Sequence, residues 1–321
     1  LGELGIVGPL QALIFAFGTS AWSTASRSLW QHGPSMLMLT AAIYVQRRGT
    51  WLLLAGIALA FAYVVRPTNA IPLALGLAWV AWNHPRRLAG FLAGVALVLA
   101  PFVALNQSVY AAWLSPYYYP GYHHGNPFFW DALAGGLVSP GRGLFVYSPV
   151  LAFAAAGIAI KIRQHRFTSL DLSLLACVFL YWISTALVNP SWWGGDSYGP
   201  RFSTDILPYF MYWIVPVVAW LRSATGMRRV FVAGAFVFAA AISVLMHAQG
   251  VFNPKAMSWN WEPVPLPMDA TRLWDWYHPP FLAGFVAPPV VERLPDLAAI
   301  PCDAPPGPPT GFTILSNRSN D

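Results

Sequence analysis

The sequence has little charge and almost no cysteine. Only 9% of its 321 residues are charged, against about 25% in soluble proteins, and 57% are hydrophobic. The two cysteines lie far apart, Cys177 within an apolar run and Cys302 near the end of the chain. This usage argues against a disulfide framework and against a cysteine metal site. We expect no metal and no cofactor.

Long apolar runs are abundant, and the mean hydropathy is +0.52. They predict an all-α polytopic membrane protein with about nine transmembrane helices. The candidate segments are residues 4–24, 31–46, 50–65, 69–83, 88–105, 143–160, 169–188, 206–221 and 230–247. Several are near fifteen residues, which is short for a hydrocarbon core about 30 Å thick. We assign residues 1–247 to a transmembrane helical domain.

The basic residues are distributed unevenly along the chain, whose net charge is +6. Many lie in alternate loops: Arg47, Arg48, Arg86, Arg87, Lys161, Arg163, Arg166, Arg222, Arg228 and Arg229. By the positive-inside rule these loops are cytoplasmic, the N-terminus is cytoplasmic and the C-terminus is extracytoplasmic. The positive charge is therefore interpreted as a topology signal, with no nucleic acid as partner. A hairpin at 66–69 fits this layout better than one helix over 51–82 kinked at Pro67.

Two aromatic segments are predicted on the extracytoplasmic side. The loop 106–142 is rich in Tyr, Trp and Phe, which favours short interfacial helices at 107–115 and 128–137. The tail 248–321 is rich in Pro and Trp, and we expect an irregular segment docked on the outer face. Both segments are candidate surfaces for protein partners.

The polar side chains of these outer loops are the candidate site. Arginines suit an anionic ligand, because guanidinium bonds phosphate oxygens in pairs, while aromatic rings can stack on sugar or isoprenoid. The candidate ligand-binding residues are Arg66, Arg142, Trp193, Tyr198, Arg201, His123 and His124. Asp196 is the candidate acid or base.

Structural interpretations of the same residues remain open. Asp196 and Arg201 can form an ion pair that only organises a loop, and Arg66 can extend to the headgroups from a helix end. Arg142 lies between two glycines, as in a simple turn. Asp205, at the head of an apolar run, is interpreted as a helix N-terminal charge rather than a catalyst.

Five motifs resemble bacterial integral-membrane glycosyltransferases of the GT-C superfamily, in the branch of protein mannosyltransferases and aminoarabinose transferases. They are GTSAW at 18–22, LWQHGPS at 29–35, VRPT at 65–68, SPGRGLFVYSP at 139–149 and WWGGDSYGPRF at 192–202. The resemblance spans residues 4–247, and the last motif is the most specific.

The resemblance implies a protein of the bacterial inner membrane that transfers a sugar from a polyprenyl-phosphate donor to an extracytoplasmic acceptor. Such enzymes keep an acidic general base in their first outer loop, which we expect to precede Leu1. Without that carboxylate, the chain is a non-catalytic structural subunit of a larger membrane complex. A transporter is the third interpretation; it lacks support from charges in mid-membrane.

Overall fold

The computed structural model describes residues 7–115, 125–291 and 314–315. These residues form helices joined by short turns. The α-helices are α1 Val7–Phe17, α2 Ser20–Ser23, α3 His32–Arg48, α4 Leu52–Val65, α5 Ala70–Asn83, α6 Leu88–Tyr110, α7 Phe129–Val138, α8 Leu144–Tyr147, α9 Phe153–Arg163, α10 Ser169–Val188, α11 Leu207–Ser223, α12 Gly226–Phe252 and α13 Pro254–Ser258. Two-residue strands, β1 Val290–Val291 and β2 Ile314–Leu315, pair antiparallel.

Four helices in the described part of the chain are long and apolar enough to cross a membrane. They are Pro85–Tyr110, Ser169–Val188, Arg201–Ser223 and Gly226–Phe252, where two include a preceding 3-10 turn. The first and last leave most of their apolar surface exposed, as lipid-facing helices do. The fold is therefore that of a helical membrane protein. The predicted number of nine spans is not confirmed, because α4 and α5, at fourteen residues each, extend only about 21 Å.

Two predicted segments are broken rather than continuous. In segment 4–24 the helix ends at Phe17, and Thr19 begins a new one by accepting a hydrogen bond from the Ala21 amide. In segment 143–160 the chain passes through α8, a 3-10 turn at Pro149–Ala152 and then α9. Apolar composition predicts both segments as helical but does not reveal breaks caused by side-chain caps and proline.

Of the two helices predicted in the loop 106–142, the second forms and the first does not. Helix α7 covers the predicted helix at 128–137. No separate helix forms at 107–115, since α6 continues to Tyr110 and then stops at Ala111 in the left-handed conformation, φ 52°.

The hairpin at 66–69 is confirmed. Arg66 is extended, a 3-10 turn covers Pro67–Asn69, and α5 begins at Ala70. Asn69 stabilises the turn, because its Nδ2 donates to the Ala62 carbonyl at 2.9 Å and to Ser35 Oγ at 2.8 Å. The turn is thereby joined to the start of α3.

The core surrounds α11, whose Leu207, Trp213 and Ile214 are fully buried. Helix α9 contacts it closely at Gly157, where an added Cβ would lie 1.6 Å from the Trp213 carbonyl oxygen. Because α11 is central, the turn preceding it brings Arg201 and Asp205 beside the start of α3 and the end of α4.

The beginning of the tail packs on the loops around 139–143 and 192–198. Trp259, Leu266 and Leu273 are buried there against Trp192 and Trp193. Helix α12 extends to Phe252 and so crosses the predicted boundary at 247. Residues 292–313 and 316–321, including Cys302, lie outside the described residues.

Candidate functional site

Asp205 is the centre of a buried polar cluster. It lies in the 3-10 turn Arg201–Ile206 and has no solvent exposure. Its Oδ2 accepts a hydrogen bond from Tyr181 at 2.7 Å and lies 3.2 Å from His32 Nδ1. The same oxygen lies 2.9 Å from Arg66 Nε. A buried carboxylate requires such partners, since an unpaired charge in an apolar interior is costly.

The sequence interpretation of Asp205 was incomplete. The residue does precede helix α11, as a helix N-terminal charge should. Its ion pair with Arg66 and its contacts with His32 and Tyr181 were not predicted. The signal in the sequence was a carboxylate and a histidine beside apolar runs, where each polar group needs a partner.

His32 connects Asp205 to Arg66. One ring nitrogen, Nδ1, faces the carboxylate, and Arg66 Nη1 lies 3.2 Å from the other, Nε2. Arg66 Nη1 also lies 3.3 Å from Nδ1, so the guanidinium contacts both nitrogens of the imidazole. The three side chains therefore form one network that holds the Arg66 guanidinium, whose side chain is 13% exposed.

Arg201 is held by different groups. Its guanidinium carbon lies 3.6 Å from the centre of the Trp30 ring, and its Nη1 donates to the Gly194 carbonyl at 2.8 Å. Trp30 in turn stacks near His32, with 6.0 Å between ring centres. The LWQHGPS motif thus supplies one residue to each arginine.

Arg66 and Arg201 line the same open cavity, which has a volume of about 540 Å³. The lining residues are Ser28, Leu29, Trp30, Gln31, Arg66, Ser115 and Arg201. Among the residues that the structure describes, this lining includes two guanidinium groups, an indole ring and no carboxylate. Such a cavity suits an anionic ligand that has an apolar or sugar portion able to contact a ring.

Arg142 was predicted to bind a ligand, but it is not among the residues that line this cavity. It is buried, and it donates to the Trp193 carbonyl at 2.7 Å, the Gly141 carbonyl at 2.8 Å and Asn260 Oδ1 at 2.5 Å. Burial lowers the pKa of its guanidinium to about 10. Its role is structural, joining the SPGRG motif to the tail.

Trp193 and Tyr198 are also core residues rather than cavity residues. Trp193 is buried against the tail, and Tyr198 donates to the Met246 carbonyl at 2.6 Å. Gly250 allows Tyr198 to pack closely on α12, since an added Cβ there would lie 2.2 Å from the ring. Aromatic residues beside glycines in a loop motif were interpreted as ligand contacts, but they pack the loop itself.

Asp196 is exposed and takes part in none of the ion pairs among the described residues. The ion pair with Arg201, one of the two interpretations of Asp196, is not among them. Asp196 does not line the cavity either.

His123 and His124 lie outside the described residues. Within the described residues no group of three His, Cys, Asp or Glu side chains lies close enough to hold a metal ion.

The chain matches no protein-family model, no curated protein and no solved structure. A functional assignment therefore depends on the geometry of the cavity and on the motifs that line it.

Proposed function

We propose that this chain is a multi-pass membrane protein that binds a polyprenyl-phosphate-linked sugar in the Arg66–Arg201 cavity and transfers the sugar on the extracytoplasmic side. One observation carries the proposal: two arginines far apart in sequence line a single open cavity beside Trp30. Both belong to motifs that resemble those of GT-C glycosyltransferases.

The cavity has the groups that a departing lipid phosphate requires. In the transfer, the acceptor oxygen bonds to the anomeric carbon while the bond from that carbon to the phosphate oxygen breaks. The electron pair leaves with the phosphate, and the guanidinium groups of Arg66 and Arg201 stabilise its charge. The acceptor proton goes to a carboxylate base.

Asp205 serves this proposal as a positioning residue. It is fully buried, and its Oδ2 is engaged by Tyr181, His32 and Arg66. It fixes the Arg66 guanidinium at the cavity wall without reaching the acceptor. We expect a carboxylate other than Asp205 to be the general base, as in the GT-C glycosyltransferases that the motifs resemble.

The membrane orientation is part of the same proposal. Helix α3 has His32 of the Arg66 network at its first residue and Arg47 and Arg48 in its last turn. The basic end fits the cytoplasmic side by the positive-inside rule, which supports an extracytoplasmic position for the Arg66–Arg201 cavity.

The test is binding of a short-chain polyprenyl phosphate to the purified full chain in nanodiscs. We expect Arg66→Ala and Arg201→Ala each to weaken binding more than tenfold, since each removes a charge-assisted contact. Arg228→Ala is the matched control, because Arg228 also lies over an indole ring, that of Trp220, and is not part of the cavity. If Arg66→Ala and Arg201→Ala bound the polyprenyl phosphate as tightly as the control Arg228→Ala, this cavity would be excluded as the phosphate site.

A specific observation also supports a second function, that of a non-catalytic subunit. No carboxylate is among the described residues that line the cavity. The two functions differ in turnover: a transferase releases polyprenyl phosphate from a labelled polyprenyl-phosphate sugar, whereas the subunit binds this donor and leaves it intact.

A further inference from the structure

A second and larger cavity, of about 760 Å³, lies at the other end of the helices that build the first. Its lining includes Arg47, Arg48, Trp79, Lys161, Arg166 and Trp220. They come from the end of α3, the end of α5, the turn between α9 and α10, and the second half of α11.

The two cavities are separated by the length of α3. His32 begins this helix beside Arg66, whereas Arg47 and Arg48 end it in the second cavity. Seventeen helical residues extend about 25 Å. The candidate membrane span Arg201–Ser223 likewise has Arg201 in the first cavity and Ser223 in the second, so the two cavities lie at opposite ends of a helix long and apolar enough to cross a membrane.

The lining of the second cavity is positively charged. Arg47, Arg48, Lys161 and Arg166 belong to it, and none of the other described residues in the lining is a carboxylate. The carboxylate nearest to Lys161 is that of Asp171, which is buried behind the wall and forms an ion pair with it. Asp171 compensates Lys161 only, so the charge of the three arginines dominates the cavity.

Asp171 is fully engaged within the protein. Its Oδ2 accepts from the Thr168 amide at 2.9 Å and from Thr168 Oγ1 at 2.7 Å, and its Oδ1 also lies 3.3 Å from Trp213 Nε1. These bonds hold Lys161 at the wall, where its Nζ also donates to Tyr212 at 3.0 Å. Buried contacts therefore fix Lys161 in the wall, whereas Arg47, Arg48 and Arg166 are exposed at the cavity.

Apolar and aromatic groups form the rest of the wall. Trp79 is nearly buried, and its Nε1 donates to Ser169 Oγ at 3.2 Å. Trp220, Val215 and Pro216 contribute apolar surface from α11. A basic rim beside an apolar wall, at the ends of membrane helices, matches the two parts of a phospholipid: a phosphate headgroup and the start of an acyl chain.

We propose that this second cavity binds the phosphate headgroup of an anionic membrane phospholipid. The arginines contact the phosphate and the aromatic wall contacts the glycerol and upper acyl region. The site is independent of the proposed sugar-transfer function, because none of its lining residues belongs to the Arg66–Arg201 cavity.

The test is lipid retention by the purified full chain, measured by native mass spectrometry after extraction from vesicles of phosphatidylcholine mixed with phosphatidylglycerol. The wild type is expected to retain phosphatidylglycerol in preference to phosphatidylcholine. The double variant Arg47→Gln and Arg166→Gln should lower that retention about tenfold. No preference in the wild type would overturn the proposal without reliance on any variant.

The matched control is Arg86→Gln with Arg87→Gln. These exposed arginines share the basic end of the bundle but do not line the cavity. If this control retains phosphatidylglycerol as the wild type does, the result supports a specific site in the second cavity. Equal loss of phosphatidylglycerol in both double variants would show only diffuse surface attraction and would overturn the proposal. Inorganic phosphate added to the wild type should not displace the lipid; full displacement would assign the cavity to a soluble phosphate compound instead.

Discussion

The guanidinium of Arg201 lies face-on to the indole of Trp30, with 3.6 Å between its central carbon and the ring centre. The two residues belong to different motifs, and neither motif alone indicates the contact. Stacking on an indole fixes the plane of the guanidinium, while the Gly194 carbonyl accepts from its Nη1. The arrangement orients Arg201 at the cavity wall before any ligand is present.

Trp30→Leu should therefore weaken ligand binding without removing a charge. We expect polyprenyl phosphate to bind about fivefold more weakly, because an exposed cation–π contact contributes about 1 kcal/mol. Binding in nanodiscs measures the effect. Trp82→Leu is the control, since Trp82 is exposed and lies outside the cavity; a similar loss in this variant would mean that Trp30 has no particular role.

Asp205→Asn should destabilise the protein. The substitution leaves the Arg66 guanidinium beside a neutral amide, and removal of one partner of a buried ion pair costs about 3–5 kcal/mol. We expect the lower end of that range, because Arg66 keeps 13% of its side chain exposed and water can solvate it in part. Reversible unfolding in mixed detergent micelles measures the free energy of unfolding.

Asp196→Asn is the control for that measurement. Asp196 is an exposed acid on the loop that precedes the same 3-10 turn. The Asp196→Asn substitution should leave the free energy of unfolding unchanged. If Asp205→Asn were as stable as the wild type, the Asp205 network would not be a stabilising feature, and its positioning role would have no support.

The apolar runs of the sequence allowed prediction of several helices, and local chemistry explains where one of them begins. Helix α10 forms over the predicted residues 169–188, because Thr168 and Asp171 provide a capping box at its start. The hairpin at 66–69 was predicted from charge placement alone. The number of membrane spans could not be predicted in this way. Apolar composition does not distinguish a helix that crosses lipid from a short helix inside the bundle.

The structure brings some of the candidate site residues to one cavity and places others elsewhere. Arg66 and Arg201 were chosen as ligand-binding residues, and both line the cavity. Arg142 and Tyr198 were chosen by the same reasoning, yet both are buried in contacts with the tail or with α12. Residue type predicts that an arginine needs acceptors. Only tertiary packing decides whether those acceptors belong to the protein or to a ligand.

Arg142→Lys should release the tail from the outer loops. A lysine keeps the charge but cannot replace the planar group that donates to Trp193, Gly141 and Asn260 together. We expect chymotrypsin to cleave between 259 and 289 about tenfold faster, because hydrogen bonds from charged donors contribute about 1.5–3 kcal/mol each. Lys255→Gln, an exposed change in the same region, should not alter the cleavage rate.

A close contact between two helices gives a prediction that tests the bundle without involving the cavities. Helices α4 and α6 meet at Gly56 and Gly94, where added Cβ atoms would lie 2.2 Å from the carbonyl oxygens of Phe91 and Leu53. Gly94→Ala should therefore separate the helices and lower the free energy of unfolding by about 1–3 kcal/mol, as overpacking does.

Gly90→Ala is the matched change one turn earlier on the same helix. Nothing lies within 4 Å of a Cβ at this position, so alanine should be neutral or stabilising by up to about 1 kcal/mol through its helix propensity. Unfolding of the two variants in the same micelles compares them directly. Because both substitutions add one methyl group to α6, equal stabilities would mean that α4 and α6 do not pack through Gly94.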